Sequence, residues 1–367
     1  MSKDTEIYKI DDASEEKTFE EGKDESRLQI VFRFIKSFNL KLGANINKAP
    51  IPVSFLSPKS TIYNYLEGYY SNFDILLNLN NIEDSLERSI QVYRWILSSF
   101  SHTSVFGKPV VPILGETLMG NFHCKDENGQ IETENYYCTE CISEETETAT
   151  GCIYNKKHGI KVNYLYTVNY YFMGTNIKVE LVGYLKVKID KYNETYSCPP
   201  PLLCARFLRG FSEIVGETTI TSDKSKYKLQ LKYFEKPLFG GDYDKAEVQV
   251  IDTETNQATH LIQGKWSNDF KIQDLKTKET KPLFQRPAAT SIVQLNQDKE
   301  LPSDSSNIWK DFTDAHNEGN NSKKFNEKKK LEKQQKQLLD DRKKNNIVWE
   351  PKHFVQNKEK EWDLVNY

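Results

Sequence analysis

IKVELVGYLKVKI, residues 177–189, alternates along its length. Ile177, Val179, Leu181, Gly183, Leu185, Val187 and Ile189 fall on one face; Lys178, Glu180, Tyr184, Lys186 and Lys188 fall on the other, with Val182 out of phase. A side-chain period of two is that of a strand with one apolar and one wet face. Tyr227, Leu229, Leu231 and Tyr233 repeat the pattern against Lys226, Lys228, Gln230 and Lys232, and residues 162–172 and 246–251 read as further strands. Long alternating strands in series favour an antiparallel meander. Such a sheet must stack on a second sheet or close into a barrel, and periodicity leaves both open.

Before the strands, residues 60–100 read as helices, with Ile90, Tyr93, Leu97 and Phe100 on an apolar face. Earlier still, Leu28, Val31, Phe32, Ile35 and Phe38 recur at helical spacing, and Ile30 and Phe34 widen the stripe until little polar surface remains. Two readings fit: a helix packed into the core, or a helix that covers a cavity and also touches membrane. Residues 1–25, acidic and poor in large apolar groups, are expected to be a disordered tail. Nothing before Ser26 is long enough for a separate membrane-targeting domain.

After the strands, Ser, Asp, Asn and Gly cluster at 302–320, marking a boundary. Residues 322–344 then carry ten Lys or Arg against four Asp or Glu, without Gly or Pro, which predicts a helix. Lys328, Glu332 and Lys336 share one face of it; a solvated helical surface is the ordinary meaning of such a run. Trp349, Pro351, Phe354 and Trp362 predict a terminal segment packed back on the body. The expected organisation is a tail (1–25), a core with lid, helices and strands (26–305) and a C-terminal helical subdomain (306–367).

The chain has 367 residues, 37% of them hydrophobic, which is enough for a large core. A net charge of −3 gives no reason to expect a nucleic-acid partner. No run approaches the ~20 apolar residues of a membrane span. Six cysteines without a secretory leader predict reduced thiols and a cytosolic location. There is no GxSxG elbow, no HExxH and no phosphate loop, so no covalent chemistry is expected. Cys138, Cys141 and Cys152 with His158, and Cys124 upstream, raise a zinc site and a metal-dependent enzyme as a rival, although paired zinc-ribbon spacing is absent.

KPVVPILGE, residues 108–116, fits neither a helix interior nor a central strand, because Pro109 and Pro112 lack backbone donors. By itself it reads as a Pro-rich connection or as a rigid rim with a lysine at one end. It resembles the KPFNPxLGE motif of the oxysterol-binding protein family. SRLQIVFRFIKSFN (26–39) resembles that family's lid, and residues 51–56 with SPKSTIYNYLE resemble the segment after it. YNETYSCPPPLL (192–203), GKWSNDF (264–270) and IVWEPKHF (347–354) follow in the family's order. The resemblance covers nearly everything from Ser26 onward.

It implies an α+β fold: a large, incompletely closed antiparallel β-barrel around a lipid tunnel, with an N-terminal lid, helices and a C-terminal helical region. It implies a cytosolic lipid-binding and lipid-transfer protein, a monomer without cofactor, in transient contact with membranes, with sterol the default ligand and a phospholipid open. Burying about 400 Å² of ligand at ~25 cal/mol per Å² gives roughly 10 kcal/mol before association costs. A sensor or tether that holds lipid without moving it is the nearer rival.

In the family, basic residues hold a phosphatidylinositol 4-phosphate headgroup. By resemblance Lys108 is one of them, and Lys328, Glu332 and Lys336 match the C-terminal helix motif, with lysine for arginine at 336. Val111 replaces the motif's asparagine. ECISEETE (140–147) resembles EQVSHHPP; Glu140 and Ser143 match, the histidines become Glu144 and Glu145, and the prolines become Thr146 and Glu147. At ~4 Å and an effective dielectric near 20, each like-charged pair with a phosphate costs about 4 kcal/mol. These departures predict weak or absent phosphatidylinositol 4-phosphate binding.

Overall fold

The stretch 160–189 folds as two thirteen-residue strands, β7 (Ile160–Phe172) and β8 (Ile177–Ile189), paired antiparallel from Ile160↔Ile189 to Phe172↔Ile177. The coordinates are a computed structural model describing residues 25–100, 107–125, 130–143, 146–287 and 291–365. The acidic N-terminal tail expected at 1–25 therefore lies outside the described residues, apart from Glu25. Gly183 sits opposite Tyr166 at φ +149°, and a Cβ there would lie 1.8 Å from the Leu165 carbonyl oxygen. Only glycine lets these strands pair through that point.

The preceding strands are β1 (Ala44–Asn45), β2 (Leu56–Ser60), β3 (Lys108–Val110), β4 (Thr117–Lys125), β5 (Ile131–Cys141) and β6 (Thr148–Asn155). After β8 come β9 (Glu194–Ser197), β10 (Leu202–Arg206), β11 (Phe211–Ser222), β12 (Tyr227–Tyr233), β13 (Lys245–Asp252), β14 (Gln257–Lys265), β15 (Asp269–Asp274), β16 (Thr280–Gln285) and β17 (Ile292–Gln297). One sheet of 15 strands follows the path β16-β15-β14-β13-β12-β11-β10-β8-β7-β6-β5-β4-β17, with β1 paired to β7 and β9 paired to β8 and β11 off that path. Nearly every step joins sequence neighbours, as a meander requires. The sheet curls: Val168 of β7 and Trp266, just beyond β14, line one cavity although six places separate their strands in the order. Its ends, β16 and β17, do not pair, so the barrel is incompletely closed.

Helices α2 (Thr61–Tyr70), α3 (Asp74–Leu77) and α4 (Ser85–Ser99) fill one end of the curl. Ile62, Leu66, Tyr93, Trp95 and Leu97 pack with Phe122, Val187, Leu229 and Val250 of the strands in one core. Arg88 of α4 reaches into this core and bonds Glu194 at 2.7 Å, while Ser222 Oγ donates to the same carboxylate at 2.7 Å. Each charge is thus paired where water is excluded.

Helix α1 (Arg27–Ser37) starts at a capping box between Ser26 and Gln29 and lies over the opposite end. The spacing argument marked Leu28, Val31, Phe32, Ile35 and Phe38 as the covering face. The structure corrects that: Ile30, Val31 and Phe34 are buried, Ile35 and Phe38 pack partly behind them, and Leu28 and Phe32 point outward at 44% and 57% exposure. A helix apolar nearly all round has no periodicity that selects a face; the neighbours Phe55, Tyr170 and Phe207 select it.

The C-terminal elements are α5 (Ser305–Ile308), α6 (Lys310–Asn317), α7 (Asn321–Lys344) and the hairpin β18 (Phe354–Gln356) with β19 (Trp362–Leu364). Trp309 and Phe312 pack against Val53, Leu56 and Val110. On α7, Lys324 is the buried exception, its ammonium donating to the Leu56 carbonyl at 2.7 Å. Phe354 closes on Cys138 and Cys152, so the aromatic tail packs back on the sheet as its sequence predicts.

Candidate functional site

Beneath α1 lies a cavity of about 830 Å³. Val31, Phe34 and Ile35 roof it, and Ile177, Val179 and Leu181 of β8 form part of its wall. These β8 residues are only half-buried because they face that space, whereas Val187 and Ile189 further along the strand are packed solid. The lining is mostly apolar, with a row of tyrosines supplying polar points. Tyr69 of α2 and Tyr166 of β7 share a hydrogen bond of 2.6 Å between their hydroxyls. Burial holds the Tyr65, Tyr69, Tyr166 and Tyr170 phenols above their ordinary value, so all remain neutral donors.

The 108–116 run forms part of the rim. Lys108 opens the short β3, which pairs in parallel with β2. Further along, Glu116 is fully buried and accepts from the Ile113 amide and from Trp309 Nε1, both at 2.9 Å. Burial pushes its carboxyl above the usual range. Gly115 takes φ +77°, and the Trp349 ring would stand 3.3 Å from a Cβ there. The apolar-and-glycine run therefore ties the rim to the C-terminal elements through Glu116–Trp309 and Gly115 beside Trp349. Val111 is 44% exposed at the surface.

Lys108 lines the cavity with its ammonium 4.3 Å above the Tyr170 ring and 3.7 Å from Glu147 Oε2. Glu147 is buried and also accepts from the Thr61 hydroxyl and, at 3.3 Å, from Tyr170. Burial lowers the Lys108 pKa; the Glu147 carboxylate opposes that shift and the nearby Lys328 charge adds to it. The charge of Lys328 on α7 is thus felt at Lys108. Lys328 is itself ion-paired with Glu332, while Lys336 lies two turns farther along an exposed face. Glu144 and Glu145 lie outside the described residues. The carboxylate placed against Lys108 is Glu147, which the sequence reading noted only as a lost proline.

Glu140, which matches the motif, serves the fold. It is completely buried, and its two oxygens accept from the Lys352 and His353 amides, each at 2.9 Å. Thr61, Tyr170 and Glu147 were not singled out from sequence. The signal for the tyrosines was present, since YLYTVNYY puts Tyr164, Tyr166 and Tyr170 on one face at period two. Glu147 left no such trace, because its burial depends on helix α2 arriving from 86 residues away.

The cysteine cluster does not assemble. Cys138 and Cys152 are cross-strand partners buried under Phe354, while Cys141, three residues along a strand, faces the other side and points its thiol at the Pro112 carbonyl. Burial raises the Cys138 thiol well above its usual value and the Cys152 thiol to about 12, so both stay protonated and poor as ligands. Among the described residues no group of three His, Cys, Asp or Glu could hold a metal. No described helix is long and apolar enough to cross a membrane.

Residues 33–367 match the family described as oxysterol-binding protein. The chain is 37% identical over 344 residues to Oxysterol-binding protein 1 of Dictyostelium discoideum, covering 93% of this chain and 87% of that one. Oxysterol-binding protein 5 of the same organism is 35% identical over 91% of this chain and 93% of its own length. Among solved structures, the fold is similar to the Osh1 ORD domain in complex with cholesterol, at TM-score 0.72, 16% identity and coverage of 95% and 89%. It is similar too to the Osh3 ORD of Saccharomyces cerevisiae in complex with PI(4)P, at TM-score 0.68, 20% identity and coverage of 92% and 90%.

Proposed function

This chain belongs to the oxysterol-binding protein family, and from that premise we propose that it takes a lipid, with sterol the default, into the cavity under α1 and carries it between membranes. The observation that carries the reading is the cavity itself: about 830 Å³, roofed by one amphipathic helix and walled by the inner faces of the curled sheet. A dry space of this kind offers a lipid nearly the same solvent as a bilayer, so extraction costs little and the lid limits exposure to water in transit. No bond need be made or broken, and the buried, protonated cysteines fit a carrier rather than an enzyme.

The protein works in the cytosol as a monomer that touches membranes peripherally. Leu28 and Phe32 on the outer face of α1 support this, as do Leu238 and Phe239 at 80% and 92% exposure in the loop between β12 and β13. Arg209 of the turn after Phe207 donates to the Lys236 and Pro237 carbonyls, which keeps that loop beside the lid contacts. The lysines of α7 add an attraction of ~1 kcal/mol each near an anionic surface.

The test is mass spectrometry of lipids copurifying with the protein, followed by vesicle-to-vesicle transfer of a fluorescent sterol. Stoichiometric lipid and accelerated, saturable transfer are expected. Binding without acceleration would make the protein a sensor or tether. A lipid-free protein that extracts nothing from sterol vesicles would overturn the reading.

A further inference from the structure

We infer that Glu147 is a specificity-determining residue: its carboxylate occupies, from within the chain, the place on Lys108 that a phosphomonoester on a lipid headgroup would take, and so keeps lipids bearing that group out of the cavity. The inference rests on the lipid-binding reading above and goes beyond it by naming the group that sorts ligands.

Lys108 is a cavity-lining cation at the rim, and Tyr170, Thr61 and Tyr65 line the same region. A cation so placed would ordinarily be the anchor for an anionic head. Here its ammonium faces Glu147 at 3.7 Å and the Tyr170 ring at 4.3 Å. Glu147 cannot swing aside freely. Its side chain is 4% exposed, Thr61 and Tyr170 donate to its Oε1, and its own carbonyl accepts from the Val168 amide at 3.0 Å. The second cation in range, Lys328, is engaged by Glu332 one helical turn on. Among the described residues these two cations are therefore each matched by a carboxylate. A phosphate arriving at Lys108 would meet a fixed carboxylate across a few ångströms of low-dielectric space, whereas a hydroxyl could bond to the tyrosines and Thr61 without that repulsion.

The fit of each element supports a built arrangement rather than a chance contact. β6 begins directly after Glu147, β7 supplies Tyr170, α2 supplies Thr61 at its first turn, and β3 supplies Lys108. Three separate elements thus converge on the carboxylate that leads into β6. Such convergence holds a charge where the fold wants it.

The experiment measures extraction of sterol, phosphatidylinositol and phosphatidylinositol 4-phosphate from vesicles by the intact chain, by E147Q and E147A, and by E147Q combined with K108A. Wild type should extract sterol and leave phosphatidylinositol 4-phosphate. E147Q should keep sterol extraction and gain phosphatidylinositol 4-phosphate at least about tenfold, a lower bound for removing one opposing unit charge at this range. The gain should be absent for phosphatidylinositol, which lacks the added phosphate, and should vanish with K108A. E147A serves if the glutamine variant unfolds. Four results would overturn the inference: wild type extracting phosphatidylinositol 4-phosphate as well as sterol, folded Glu147 variants gaining nothing, an equal gain for both inositides, or a gain that survives K108A. Wild type that still extracts sterol in those cases leaves the carrier reading standing; wild type that extracts no lipid removes both.

Discussion

Glu140 receives two backbone amides from the far end of the chain, one on each carboxylate oxygen. Charge-assisted bonds of this kind stabilise more than neutral ones, and removing the acceptor leaves two buried donors unmet. E140A is expected to cost roughly 3 kcal/mol in urea unfolding, and E140Q, which keeps one acceptor oxygen, less. In the variant, amide hydrogen exchange at Lys352 and His353 should accelerate first. Resemblance identified this glutamate as a motif residue but not its partners. Those partners are legible only in three dimensions, because 212 residues separate it from Lys352. The same limit applies to Glu147: type and position were readable, its burial against Lys108 was not.

At the level of elements, the long strands were almost fully legible. Alternation marked β7, β8, β12 and β13 because each has one face toward apolar interior and one toward water, and burial along β7 alternates at every residue. Helix α1 was legible as a helix but not in its orientation, since seven large apolar side chains surround it. Its two faces now predict separable effects. L28S with F32S should leave sterol binding intact and weaken vesicle association several-fold in a sedimentation assay, because those side chains face outward. I30S or F34S should instead loosen the roof and lower the bound lipid fraction, with vesicle association less affected. Equal loss from both sets would mean that the two faces are not functionally distinct.

Across the whole molecule, periodicity announced a sheet but could not choose between stacking and curling, because both bury the same face. The choice is made by what stands inside. Helices α2 and α4 fill one end with Trp95, Tyr93 and Leu66, and among the described residues none fills the space beneath α1. A molecule with an open apolar volume lacks the packing contacts that a solid core would have there. Ligand should therefore stabilise it markedly: at a free sterol concentration 100 times Kd, unfolding should become harder by about 2.7 kcal/mol. A melting temperature that rises with sterol but not with a detergent lacking a ring system would check this.

The joint between Glu140 and residues 352–353 also imposes a timetable on synthesis. While the nascent chain emerges from the ribosome, β5 and its neighbours can pair long before their buried carboxylate has donors, since those amides lie 212 and 213 residues further along the chain. Until residues 352–354 have emerged, that part of the barrel wall holds an uncompensated charge and an uncovered apolar strip at Cys138 and Cys152. The half-built vessel is thus a natural client for chaperones, and the final hairpin is the latch that ends their attendance.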